Sequence, residues 1–159
     1  MAVSTYAPVG QTPTLRVKLT RDHLSAMGAI TPQGRMIMQT LDHSYKGPDV
    51  VRFLQVLTRE IAGNLLVIWD GASIHRCQAV KDYLRKGGAK RIHLEQLPSY
   101  APELNPQEGV WNLLKRVELK NVCCLDLQHV QRELRRAKER LRHRRSLLRQ
   151  CFVHAGYSL

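Results

Sequence analysis

Two carboxylates stand where a carboxylate can do chemistry. Asp70 directly follows Leu65–Trp69, the most apolar run in the chain. In an open α/β sheet, ligands bind outside the carboxyl ends of the strands, so the Asp70 side chain is expected at the mouth of a site. An Asp before a Gly also makes a turn or caps the helix that follows. Glu108 closes the string Asn105-Pro106-Gln107-Glu108, a helix start with Asn at N-cap, Pro at N1 and Glu at N3. There it either completes a capping box with Asn105 or faces a metal in place of its own backbone, and the spacing leaves both open. His75, five residues after Asp70, either approaches the same site or a phosphate, or faces solvent from a helix.

These residues need elements to hold them. Residues 15–19, 23–30 and 35–41 are short apolar runs bounded by turn signals such as Thr-Pro-Gln-Gly at 31–34, which predicts antiparallel strands. Val50, Phe53, Leu54, Leu57 and Ile61 follow the period of an amphipathic helix. Leu65–Trp69 has no polar alternation and predicts a strand buried on both faces. A helix is expected over 73–85, a strand over 92–97, and a helix after Pro106 carrying Val110, Trp111, Leu113, Leu114 and Val117. Trp111 belongs to that apolar cluster and reads as core. The order strand, helix, strand, helix implies a parallel unit with right-handed crossovers. Leu127, Val130, Leu134, Ala137, Leu141 and Leu148 predict one long C-terminal helix.

The whole chain has 159 residues and a formal net charge of +12. That length suits one domain, and 43% hydrophobic residues are enough for a packed core. No apolar run approaches the roughly 20 residues needed to span a bilayer, and residues 1–13 have no signal-peptide pattern, so a cytoplasmic location is expected and no membrane partner. Cys77, Cys123, Cys124 and Cys151 form no Cys-x-x-Cys pair, which suits reduced thiols. The positive surplus points to a polyanion, with nucleic acid first. Between Arg132 and Arg149 lie nine basic residues and two acids, more than half of that surplus. Arg132, Arg135, Arg136, Lys138, Arg142 and Arg145 are the candidate phosphate contacts there.

Three stretches carry a family resemblance: LLVIWDGASIHR (65–76), LPSYAPELNPQEGVWNLLK (97–115), and YAPVGQTP (6–13) followed by HLSAMGAITPQGR (23–35). Together they resemble the DDE endonuclease domain of mariner-like bacterial insertion-sequence transposases, from about residue 6 to 121. The resemblance implies a ribonuclease H-like α/β fold, a mixed sheet flanked by helices. It divides the chain into a partial catalytic domain, 1–121, and a basic amphipathic helical segment of the same domain, 122–159. Asp70 matches the second acid of the triad and Glu108 the third, with 37 residues between them. The implied cofactor is a pair of Mg²⁺ or Mn²⁺ ions held by these carboxylates, since hard cations take oxygen ligands. Asn105 would orient Glu108 by capping its helix, and His75 would support the site. The implied reactions are hydrolysis at the element's ends and strand transfer into target DNA. The implied partners are double-stranded DNA and a second copy or a full-length transposase, with the protein associated with the bacterial nucleoid when DNA-bound.

The sequence departs from that pattern at its start. The family's first acid lies on a strand upstream of the segment matched by residues 6–13, and none of residues 1–5 is acidic. Asp22, Asp42 and Asp49 lie downstream of the required place and are given no catalytic role. The expectation is therefore an N-terminally truncated chain without the first, central strand and without the family's helix-turn-helix region. Two inner strand edges would then lack a partner, leaving the fold marginal, rearranged or oligomeric. The rival expectation is a non-catalytic remnant that binds DNA or pairs with transposase.

Overall fold

The computed structural model describes residues 7–11, 23–120, 122, 124 and 126–159. The strand expected over 15–19 lies outside the described residues. A hairpin of β1 (Ser25–Ile30) and β2 (Met36–Leu41) opens the fold, antiparallel, with Ser25 opposite Leu41 and Ile30 opposite Met36. Its turn is closed by the Gly34 amide donating to the Thr31 carbonyl at 2.8 Å. Gly34 has a φ of +77°, and a Cβ there would lie 2.3 Å from the Arg145 carbonyl oxygen. Both facts demand glycine, the first because an L side chain is strained in the left-handed region. Gly63 has a similar φ of +82° with open space around it. Gly63→Ala should therefore cost only the strain, about 1–2 kcal/mol. Gly34→Ala should cost at least twice as much in urea denaturation, because the hairpin must also lift from the C-terminal helices. Equal losses at the two positions would show that the close approach to Arg145 is unimportant.

The helix α1 (Gly47–Glu60) starts where Pro48 follows Gly47 and the Asp49 carboxylate accepts the Lys46 backbone N–H at 3.0 Å. It buries Val50, Phe53, Leu54 and Leu57, the face that the sequence period marks. Its far end is held by Arg91, whose guanidinium donates to the carbonyls of Thr58, Ile61 and Gly63 at 2.7–3.0 Å. The same residue opens the next sheet, since the Leu65 amide donates to its carbonyl. There β3 (Leu65–Trp69) and β4 (Ile92–Gln96) pair in parallel, Leu65 opposite Ile92 and Trp69 opposite Gln96. The crossover contains a 3₁₀ turn (Ser73–Arg76) and α2 (Gln78–Arg85).

After β4 the chain forms a 3₁₀ turn (Pro102–Leu104), then α3 (Pro106–Leu113), which runs into a π-helical turn (Leu114–Glu118). The C-terminal region is α4 (Leu127–Arg142) and α5 (Arg145–His154). Two cores result. One joins Met36 and Met38 of β2 to Val110, Leu114, Ala137, Leu141, Leu148 and Cys151 of the last three helices. The other joins Val50, Phe53, Leu54 and Leu57 to Val80 and Ile92, with Met27, Ala29 and Ile37 packed against it. Because successive residues of a strand point to opposite faces, the hairpin supplies both cores and is covered on both sides.

Three expectations change. The single helix expected over 73–85 is broken at Cys77, whose backbone is extended. The single C-terminal helix is two, separated at His143 and Arg144. Leu65–Trp69 is covered on one face only, with Leu66 60% and Ile68 46% exposed. The mixed α/β character holds, but among the described residues the strands form two separate two-stranded sheets.

Candidate active site

The gap between those sheets is a cleft with a volume of about 570 Å³. Residues of β1 form one wall and residues of β3 the other, and Asp70, His75, Asn105, Gln107 and Glu108 all line it. The crossover topology explains the gathering. Asp70 leaves the carboxyl end of β3, and the neighbouring strand β4 leaves at the same edge, since the Leu97 amide donates to the Trp69 carbonyl at 2.9 Å. The chain then turns through the prolines and enters α3, which brings Glu108 back to the cleft.

The two uses open to Glu108 are separated by the hydrogen bonds. Asn105 caps α3 by accepting the Gln107 amide at 3.1 Å, as its position predicts. Its own amide donates to the Pro102 carbonyl at 3.0 Å. The N–H that a capping-box glutamate would take is thus occupied, and among the described residues the Glu108 carboxylate has no hydrogen-bond or ion-pair partner. A carboxylate without a protein partner, on a cleft wall at a helix N-terminus, is available to an outside ligand.

Asp70 is held more firmly. Its Oδ1 accepts the Ala72 amide at 3.1 Å and faces His75 Nε2 at 3.2 Å. The His75 ring stacks on Trp69, centroids 4.5 Å apart and planes 13° from parallel, and its side chain is 13% exposed. Burial pushes the His75 pKa below its ordinary value, and the attraction of Asp70 opposes that only in part. A neutral ring donating from Nε2 fits the contact with Asp70 and leaves Nδ1 as a buried atom with no partner among the described residues. His75 therefore faces the site, not solvent.

This depressed pKa has a stability consequence. The unfolded chain binds a proton to His75 below about pH 6.5, while the folded chain resists it to lower pH. The His75 contribution is complete above that pH and declines as pH falls through the window below it. Urea unfolding at pH 7.5 and pH 5.5 should show a smaller acid loss for His75→Gln than for the wild-type chain. Equal acid losses would mean that the ring charges as easily folded as unfolded.

Gln107 is a cleft residue that the sequence marks only as part of the cap. Both polar atoms of its amide are buried without a partner among the described residues. The amide lies against β1, because a Cβ at Gly28 would meet Gln107 Nε2 at 2.7 Å. Trp111 is half-buried against the first core and also borders the cleft.

The basic residues of α4 and α5 do not line this cleft, and the structure sorts them. Arg140 and Arg144 both pair with Glu118, whose side chain is only 4% exposed. Arg136 pairs with Glu133 at 2.8 Å and Arg142 with Glu139 at 3.3 Å. Lys138 is turned onto the hairpin, its Nζ 3.4 Å from the Met38 carbonyl. Among the described residues Arg132, Arg135, Arg145 and Arg149 pair with no acid, and all four are exposed. Arg132 and Arg135 share one face of α4, three residues apart, and Arg145 and Arg149 share one face of α5.

The donor chemistry of the cleft fits a hard divalent cation in part. Glu108 offers an unpartnered carboxylate and Asp70 an exposed one. No third acid, His or Cys joins them in a metal-binding group among the described residues. No helix among those residues is long and apolar enough to cross a membrane.

Comparison with known proteins gives the family and the fold. The family model described as a DDE superfamily endonuclease matches residues 3–131. Among solved structures, the chain is similar to one in the "Crystal structure of the Mos1 mariner paired end complex with Mn", with a TM-score of 0.59 and 16% sequence identity. The match covers 98% of this chain and 51% of that one, so the chain spans about half the length of the protein it resembles. At that identity the likeness establishes the fold, the ribonuclease H-like α/β arrangement of a mariner protein. No curated protein matches the chain.

Proposed function

The chain belongs to the DDE superfamily of endonucleases, and from that premise we propose that it is part of a transposase catalytic domain that cuts DNA and transfers the cut strand. The observation that carries this reading is the freedom of the Glu108 carboxylate, which shares the cleft with Asp70 while Asn105 caps the helix by other bonds. Asp70 and Glu108 would hold Mg²⁺ or Mn²⁺, because hard cations take oxygen ligands. Such ions supply Lewis acidity, which lowers the pKa of an attacking water and stabilises a departing oxygen.

The chain's own residues position that chemistry. His75, stacked on Trp69, fixes the Asp70 carboxylate. Asn105 fixes the first turn of α3 and with it Glu108. The unpaired arginines of α4 and α5 hold phosphates outside the cleft. Residues 122–159 are thus a DNA-holding extension of the same domain, and Arg132, Arg135 and Arg145 are its principal contacts. Arg142, in an exposed pair with Glu139 worth little in water, exchanges its acid partner for phosphate, and Arg136 does so by leaving the largely buried Glu133. Lys138 reaches DNA only by leaving the Met38 carbonyl.

Two carboxylates, the number that the described residues bring to the cleft, bind metal less well than three. Full activity needs a further acid brought to the cleft. The second reading is a DNA-binding or transposase-pairing module that does not cut, and the absence of a three-ligand metal group among the described residues favours it. Nicking of supercoiled DNA in Mg²⁺ or Mn²⁺ separates the two. The chain fused to an N-terminal apolar strand ending in Asp is expected to nick, and the chain alone to bind and nick weakly or not at all. Binding without cleavage by both forms in either metal would replace the enzyme reading with the module.

A further inference from the structure

Tyr100 sits in the loop between β4 and α3, is fully exposed, and makes no hydrogen bond or ring contact with any described residue. It is the one described residue other than glycine with a positive φ, +59°. An L-residue in that region is disfavoured against its ordinary conformations, and strain of this kind persists where the surrounding structure over-determines it, often at functional sites. The surroundings here are firm. Leu97 is buried and its amide bonds to Trp69, while the amides of Leu104 and Asn105 bond to Ala101 and Pro102. Tyr157 ties the loop to the end of α5 by donating to the Leu104 carbonyl at 3.0 Å. The fold thus anchors both ends of the loop and holds a strained backbone that displays an aromatic ring to water. The same loop connects the strand beside Asp70 to the helix of Glu108, so Tyr100 is carried on the segment between the cleft-lining residues Leu97 and Asn105.

We propose that Tyr100 is a DNA-contacting residue that stacks on a base face exposed next to the cut, at an unpaired or terminal nucleotide. Every base has a π-face, so such a contact adds affinity without reading sequence. It needs a base out of the stack, which continuous duplex does not offer and a cut or frayed end does. The hydroxyl is dispensable and the ring is not. This inference rests on the reading of the cleft as a DNA-cutting site, but it concerns binding and is measured without cleavage.

The probe is a duplex with a short 3′ overhang carrying 2-aminopurine, which fluoresces brightly when unstacked, compared with a duplex in which the same base is paired internally. The full chain is expected to bind the overhang duplex about tenfold more tightly and to quench its fluorescence. Tyr100→Phe and Tyr100→Trp should keep both effects. Tyr100→Ala should erase the preference and the quenching. Tyr100→Gly removes the ring while leaving a residue at ease with positive φ, so it should bind like Tyr100→Ala while its urea midpoint equals or exceeds wild type. Wild-type preference and quenching in the Gly variant would overturn the proposal, since the backbone and not the ring would then matter. Unchanged binding by Tyr100→Ala would overturn it too. If the chain binds neither duplex, the DNA-cutting reading falls with it, whereas binding with no role for the ring removes this inference alone.

Discussion

Asp70→Asn and Glu108→Gln, each made alone, are expected to lower metal-dependent nicking at least a hundredfold while leaving the urea midpoint and DNA affinity close to wild type. Both replacements keep size and shape and remove only the charge and the ligand oxygen. Glu108 supports no hydrogen bond among the described residues, so its charge serves the fold only through the N-terminal end of α3, an effect of about 0.3–1 kcal/mol. Asp70 is exposed, and an amide oxygen can still accept the Ala72 N–H. Surface changes of this sort usually stay within about 0.5 kcal/mol. The loss should therefore appear in turnover and in Mn²⁺ binding, not in folding. Because the carboxylates act on one site as a unit, the double variant should be little worse than either single one. The chain with a supplied Asp-bearing strand is the form to assay for nicking, and calorimetric Mn²⁺ titration reports on the 159-residue chain itself. Nicking that survives both substitutions, or Mn²⁺ affinity indifferent to them, would remove Asp70 and Glu108 from the centre.

What the sequence discloses and what it conceals follow from the range of the forces involved. The strand Leu65–Trp69, the α1 stripe and the Asn105 cap depend on neighbours a few residues away, and local pattern suffices for them. The break between α4 and α5 does not. Residues 142–144 are Arg-His-Arg, without glycine or proline, and nothing local stops a helix there. At that point Arg140 and Arg144 converge on Glu118 and the Gly34 turn abuts the Arg145 carbonyl, contacts made across 22 to more than a hundred residues. The two uses of Glu108 were equally compatible with Asn-Pro-Gln-Glu. The preceding 3₁₀ turn excludes the capping box, because it takes up the Asn105 amide. His75 moves from an open alternative to an Asp70 contact for a similar reason: the turn before α2 lays its ring on Trp69. The exposed face of β3 was hidden by the apolar run itself, since Leu66 and Ile68 read as core wherever they sit.

The largest expected effect on DNA binding comes from the arginines that the acids leave alone. Replacing Arg132, Arg135, Arg145 and Arg149 together by Gln should lower affinity about a hundredfold or more near 100 mM salt. It should also flatten the slope of log affinity against log salt by about 3–4, if each neutralises one phosphate on duplex DNA. Arg140→Gln with Arg144→Gln removes half as much charge from the same helical region but should barely change that slope. Those two are engaged by Glu118, so their removal strands a nearly buried carboxylate and shows up as lost stability, on the order of 2 kcal/mol after allowing for their half-exposed positions. Sequence composition treats all nine basic residues of this region alike, and a field set by net charge alone would make the two sets differ only in proportion to the charges removed. Filter binding or fluorescence anisotropy over a salt series, with urea unfolding of the same proteins, distinguishes these. If the Glu118 partners reduce the salt slope in proportion to their number, the surface is a diffuse positive field; if they do not, phosphates are held by the arginines left without an acid.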